Sequence, residues 1–317
     1  GRIRPGTTFA AGDSVRGLGG AGDCDEPRSA REVLEALRAD LAEFRASIPG
    51  GRVVAVNLCS TEAPAEGLEE LTDVARLDAA VSAGRGVSSS VLYTYAALLE
   101  GFPFVNFTPL PGTEVPALAA AAAAHRVPHA GKDGKTGETM LKTVLAPMFR
   151  DRNLDVLSWS GMNLLGNRDG AALREPGANE AKVADKDGVL PPILGEGPRG
   201  TLTRIDYVPS LGDWKTAWDL IHFAGFLGTR MQMHFTWQGC DSALAAPLVL
   251  DLIRLADLAA RRGESGPMEH TAVFFKTPVT AGPADFAAQM QRLSNYATAA
   301  AGEASPAPAP EREQSAD

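Results

Sequence analysis

Cysteine is scarce in this chain: Cys24, Cys59 and Cys240 lie far apart among 317 residues, with no C-x-x-C pair. That usage writes neither a disulfide framework nor a zinc site and suits a reduced cytosol. The five histidines (125, 129, 222, 234 and 270) keep no metal-ligand spacing, and His222 and His234 sit in apolar runs. They read as core or surface residues, and no metal is expected. No apolar run approaches the 18 or so residues of a membrane span, and the first residues lack a basic segment followed by an apolar one. Neither insertion nor export is expected. Positive charge is in deficit, with 30 Lys and Arg against 39 Asp and Glu and a net charge of −9. A nucleic-acid partner is therefore not expected, because backbone binding needs a dense positive field, and any phosphate must be held by a local lysine cluster. Aromatics make up 6% of the chain, and Trp214, Trp218 and Trp237 lack the basic surround of a base-stacking platform. They read as packing.

What is present is an ordinary globular composition, 44% apolar, enough for one large core or two smaller ones. The opening on Gly1, in a stretch rich in glycine and proline, suggests a fragment. Ser29 and Glu32 form a capping box, and Val33, Leu37, Leu41 and Phe44 recur at helical spacing until Pro49-Gly50-Gly51. A nearly all-apolar strand follows at 52–58, then helices through Leu68 to Leu77 and 91–100, and a second buried strand at 102–107. Helices alternating with apolar strands imply a doubly wound parallel sheet. From about Leu110 an alanine run leads to a basic, glycine-bearing loop at 129–142, which opens a helix ending near Met148. The spacing then predicts a strand at 155–160, a polar span around ANEAKVADKDG and an edge strand at 201–208. Beyond it come a helix at 216–223, a strand at 230–236, a helix at 242–261 and a short strand at 271–275 ending in Lys276. The last twenty residues read as a disordered tail.

Gly17 to Gly22 spell G-x-G-x-x-G, but no strand precedes them and Asp23-Cys24-Asp25-Glu26 follows, so a flexible loop is expected instead of a dinucleotide site. Gly134-Lys135-Thr136 suggests a phosphate loop, yet His129 stands where the first glycine is required. What remains is a turn with Lys132, Asp133 and Lys135 ahead of a helix, which spacing leaves open between an anion site and a solvated loop. Ser60 has no G-x-S-x-G around it and no support as a nucleophile.

Taken in order, LLEGFPFVNFTP, AGKDGKTGETMLKTVLAPMF, NLLGNRDG, AKVADKD, YVPSLGDWK, CDSALAAPLVLDL and FFKTPV resemble the inositol-3-phosphate synthase family over residues 52–278. The resemblance implies conversion of glucose 6-phosphate to inositol 3-phosphate, in which NAD oxidises carbon 5, enolisation and aldol closure follow, and the hydride returns. It implies catalytic roles for Lys135, Lys142, Lys182, Lys276 and Asp133, and substrate contacts from Asn163, Asn167 and Lys215. On the cofactor side it implies Ser60, Thr61, Thr108, Asp133, Asp213 and Asp241. Lysines suit such chemistry independently, because fixed ammonium groups in a dry site stabilise an enolate and then an alkoxide where the charge forms. A lysine crowded by other cations can also shuttle protons near neutrality.

The implied fold is α/β: a discontinuous Rossmann-type NAD-binding domain (1–112 and 218–296) with an inserted α+β catalytic and tetramerisation domain (113–217) and a tail at 297–317. A cytoplasmic homotetramer acting on a sugar phosphate is implied. So is a strand, glycine-rich turn and helix preceding this sequence. Rival readings are a cyclitol-phosphate synthase of secondary metabolism acting on another sugar phosphate, and a truncated, non-catalytic paralogue.

Overall fold

The computed structural model describes residues 28–61, 65–195 and 200–303; the G-x-G-x-x-G at 17–22 lies outside them. Helix α1 (Ala30–Ala46) starts at the expected capping box, with the Ser29 hydroxyl accepting from Glu32 N at 3.2 Å and the Glu32 carboxylate accepting from Ser29 N at 2.8 Å. β1 (Ala55–Asn57), α2 (Val74–Ala83), α3 (Ser89–Leu99), β2 (Phe104–Asn106), α4 (Pro116–Ala124) and β3 (Pro128–Gly131) follow in alternation. The expected helix through Leu68 to Leu77 is broken, a 3-10 turn at Leu68–Glu70 standing apart from α2, whose own start is capped by Asp73.

The first sheet has the order β1-β2-β3-β8 and is parallel throughout, its last strand being the two-residue β8 (Gly266–Pro267). Successive residues of β2 face opposite sides. Phe104 packs into a core built from α1 to α4, whereas Val105 packs against Leu252 and Ala256 of the long helix α9 (Asp241–Arg261). Covering on both faces is why these strands read as unbroken apolar runs.

Between β3 and α9 the chain builds a second sheet. Helix α5 (Glu138–Asp151) leads to β4 (Asp155–Leu165), α6 (Arg168–Ala172), α7 (Pro176–Asp187), α8 (Pro191–Leu194), β5 (Leu202–Tyr207), β6 (Trp214–Ala224) and β7 (Arg230–Cys240). The order is β5-β4-β6-β7, with β4 and β5 parallel and the other pairs antiparallel. Trp159, Phe149 and Ile221 centre the core between this sheet and α5. Sheet membership cuts the chain elsewhere than at 112 and 217: β3 belongs to the first sheet, and residue 217 lies inside β6.

Other expected elements differ too. Residues 216–223 form strand, not helix, because Ala217, Asp219, Ile221 and Phe223 alternate inward between β4 and β7; the buried Asp219 disguised that alternation. Residues 271–274 fall in a 3-10 turn (Glu269–Phe274) whose backbone serves a neighbouring loop, the Phe274 carbonyl accepting from Lys135 N at 2.8 Å, and only Phe275 is extended, in a bridge to Gly134. Helix α10 (Phe286–Glu303) runs through the start of the expected tail, as alanine's helix preference favours; residues 304–317 lie outside the described residues. The strand expected at 155–160 also extends to Leu165, and the polar span 176–187 is helix α7. Among the described residues, no helix is long and apolar enough to cross a membrane.

Candidate active site

A cleft of about 280 Å³ opens at the carboxyl ends of β1, β2 and β3. Such edges are where open α/β sheets take ligands. Its floor is Leu58 to Thr61 after β1, Phe107 to Pro109 after β2 and Asp133 to Thr139, from the loop after β3 into the first turn of α5, with Lys135 turned away. The last segment is stitched in place: Asp133 N donates to Thr108 O at 3.0 Å, Gly134 N to Phe107 O at 3.0 Å, and Lys276 N to Asp133 O at 2.7 Å. Two glycines permit this course. A Cβ on Gly134 would lie 2.2 Å from the Phe107 ring, and one on Gly137 would lie 2.6 Å from Trp237 Nε1.

Four lysines line the cleft, and each meets its own carboxylate. Lys276 Nζ lies 2.8 Å from Asp133, Lys182 3.1 Å from Asp169, Lys186 2.9 Å from Glu138 and Lys215 3.3 Å from Asp241. Lys182 and Lys186, four residues apart, share one face of α7. Lys215 comes from β6 and Lys276 from the segment after the 3-10 turn. Asn163, fully buried on β4, accepts from Lys186 Nζ at 2.6 Å and so fixes that ammonium from a second side. Behind the wall, Lys142 approaches the other Glu138 oxygen at 3.1 Å with neither side chain exposed. Deeper still, Asp219 accepts from Trp159 Nε1 at 2.8 Å.

These groups are electrostatically unequal. Burial, with Lys215, Lys276 and Lys142 adding to it, outweighs Glu138 and brings Lys186 down to about 7. Lys182 goes the other way: burial is outweighed by Asp169 and Asp133, and its ammonium is held above the ordinary lysine range. Burial opposes charge on Asp133, but Lys276 and Lys182 keep it below the usual carboxylate range. Glu138 is held well below that range against burial by Lys186 and Lys142, and Asp241 below it by Lys215 and Lys276. Asp219, buried and facing the Glu138 charge, is pushed up to about 6. The cleft thus joins the strongly held Lys182 ammonium to one lysine able to gain and lose a proton near neutrality.

Of the residues implied by resemblance, Lys182, Lys276, Lys215, Asp133, Asn167, Ser60, Thr61, Thr108 and Asp241 line this cleft. Asn167 also caps α6, accepting from Gly170 N at 2.9 Å. Lys142 and Asn163 stand one layer behind, touching Glu138 and Lys186. Lys135 and Asp213 are not on the cleft. The turn at Asp133, where φ is +58°, sends Lys135 to the opposite side, and Asp213 is exposed at the start of β6. Lys186, Glu138, Asp169 and Asp219 were absent from the expected set. The i,i+4 spacing of Lys182 with Lys186, and of Glu138 with Lys142, was the available signal.

The family model described as myo-inositol-1-phosphate synthase matches residues 19–297. The chain belongs to the myo-inositol-1-phosphate synthase family. Among curated members, inositol-3-phosphate synthase 1 of Bacteroides thetaiotaomicron is 37% identical over 257 residues, which cover 78% of this chain and 60% of that protein. Inositol-3-phosphate synthase 1 of Homo sapiens is 35% identical over 247 residues, 74% of this chain and 44% of its own length. The crystal structure of inositol-3-phosphate synthase from Caenorhabditis elegans superposes with a TM-score of 0.84 at 27% identity, over 94% of this chain and 63% of the other. The chain spans about half the length of the curated synthases it matches.

Proposed function

We propose that this chain forms the active cleft of an NAD-dependent inositol-3-phosphate synthase that cyclises glucose 6-phosphate. The observation that carries this reading is the convergence of four lysines, each with a carboxylate partner, on one cleft at the carboxyl edge of a parallel sheet. Family membership supports it.

The sugar phosphate suits the Lys215 side, where the first turns of α5 and α9 open onto the cleft and their free amides add to the ammonium charge. Lys182, whose ammonium its carboxylate neighbours hold, and Lys276, ion-paired with Asp133, stabilise the enolate and then the alkoxide. Lys186 is the residue to remove and return the proton, because a pKa near 7 lets it act as base and acid in one turnover. Asn163 and Glu138 hold its Nζ in place.

NAD fits the same edge. Among the described residues, Thr61 Oγ1 and Asp133 Oδ2 are buried on the cleft wall without hydrogen-bond partners, as polar atoms reserved for a ligand would be. Ser60, Thr61, Thr108 and Asp133 would hold its nicotinamide end. When bound, NAD supplies a hydride acceptor and then returns the hydride, leaving no net redox change. A homotetramer is part of the proposal: Met162, Leu202, Trp214 and Trp218 expose apolar area on one face of the second sheet, which subunit packing would cover. The test is product analysis with NAD and either glucose 6-phosphate or fructose 6-phosphate. Inositol phosphate from the first alone is expected, and cyclised product from the second alone would refute the substrate assignment.

A further inference from the structure

Lys135 points into a second cavity of about 350 Å³, whose lining shares only Lys276 with the cleft. The cavity lies between α5, the end of α7, α8, residues 275–284 and α10. Its walls are mostly apolar, including Val189, Pro192, Ala272, Phe275 and Pro278. The Lys135 side chain is only 3% exposed, and among the described residues no carboxylate pairs with it. Its Nζ donates one hydrogen bond, to Gln289 Oε1 at 2.8 Å, and the Gln289 amide is itself fixed by donating Nε2 to Pro283 O at 3.0 Å. An ammonium group has three donors, so two are unspent at the cavity wall. The other cation on that wall, Lys276, commits its ammonium to Asp133 in the cleft.

We propose that this cavity is a binding site for a small monocarboxylate with a compact apolar body, its carboxylate pairing with Lys135 and Gln289 Nε2 flanking the head group. A buried charge without a counter-ion is unfavourable, and an entering carboxylate supplies the missing partner. One cation among apolar walls does not balance a phosphate dianion, which sets the ligand class apart from that of the cleft. The volume is within the range of small-molecule pockets, which are apolar with a few fixed polar groups. Burial alone brings Lys135 down to about 8, so the site is half-charged near that pH when empty and becomes fully charged on binding. The wall includes Ala184 and Gly188, beside the lysines of α7. The proposal does not depend on the reaction assigned to the cleft.

The experiment is calorimetric titration of the full chain at pH 7 with cyclohexanecarboxylate and with the uncharged cyclohexanecarboxamide, using wild type, Lys135→Met and Lys182→Met. The carboxylate is expected to bind wild type and Lys182→Met alike, at least about tenfold tighter than the amide, and to weaken at least about tenfold in Lys135→Met. A second measurement needs no variant: wild-type affinity should fall by nearly tenfold per unit between about pH 8.5 and pH 10, since binding requires the ammonium form. The proposal is overturned if wild type does not bind the carboxylate, if acid and amide bind equally, or if Lys135→Met binds as wild type does. It is overturned equally if binding is lost in Lys182→Met, which would place the ligand in the cleft, or if affinity is flat over that pH range.

Discussion

Glu138→Gln is the most informative single perturbation of the cleft, because it keeps shape and removes one charge from between two buried lysines. At 2.9 Å and 3.1 Å the Glu138 oxygens face Lys186 and Lys142. An effective dielectric of about 20 gives each contact a gross attraction of about 5 kcal/mol. Lys186 already sits near 7, so the loss falls chiefly on Lys142, which is fully buried and keeps as acidic neighbour only the Asp219 carboxyl, itself pushed up to about 6. An unpaired buried lysine sheds its proton on folding, at about 1.4 kcal/mol for each pH unit below the ordinary value near 10.4. That bounds the cost at about 5 kcal/mol at pH 7, and removal of one member of a buried pair typically costs about 3–5 kcal/mol. The sign follows from a folded-state pKa below the unfolded one: destabilisation is present at low and neutral pH and is relieved as pH rises toward 10.4. Urea denaturation of wild type and variant should therefore differ by about 3–5 kcal/mol at pH 7 and by no more than about 1 kcal/mol at pH 10. A variant within about 1 kcal/mol of wild type at pH 7, or a gap that does not close with pH, would refute the claim that Glu138 compensates these lysines.

Asp219→Asn tests the opposite case. A carboxyl raised to about 6 destabilises the fold progressively from about pH 4 and fully above about pH 6, so the variant should gain up to about 3 kcal/mol at pH 7 and nothing below about pH 4 in the same denaturation experiment. Lys182→Ala and Lys276→Ala should each lower turnover at least about 100-fold, read by product formation on samples that calorimetry shows to be folded; Lys276→Ala, which strands the buried Asp133, should also lower the thermal midpoint. Gly137→Ala should destabilise by about 1–3 kcal/mol, because the new Cβ would sit 2.6 Å from Trp237 Nε1; a variant as stable as wild type would show that Trp237 yields freely. Leu252→Ala, emptying a fully buried position where α9 meets the first sheet, should cost about 2–5 kcal/mol in chemical denaturation.

Local signals made much of the fold legible. The Ser29 and Glu32 box fixed the start of α1, and unbroken apolar runs announced β1 and β2 because helices cover both faces of that sheet. Strand β6 was not legible, since its identity comes from ladders with β4 and β7 while its inward positions include a carboxylate that erases the apolar alternation. The site divided in the same way. Family motifs pointed to Lys182, Lys215 and Lys276, but which of the lysines in GKDGKTGETMLK faces the cleft depends on the turn at Asp133 and on burial that spacing does not encode. Lys186 was within reach, one helical turn beyond Lys182. Its depressed pKa was not, because burial in the folded cleft sets it, with three lysines from distant parts of the chain adding to the effect.

The central claim is that Lys186 moves the proton in an NAD-dependent cyclisation supported by fixed ammonium groups. Its most direct test is the rate of inositol phosphate formation from glucose 6-phosphate, with NAD saturating, by the protein containing this chain and by its Lys186→Met variant. Wild type should form the product, and the variant should be slower by at least about 100-fold while still folding and binding NAD. Product at a near-normal rate from the variant would contradict the account.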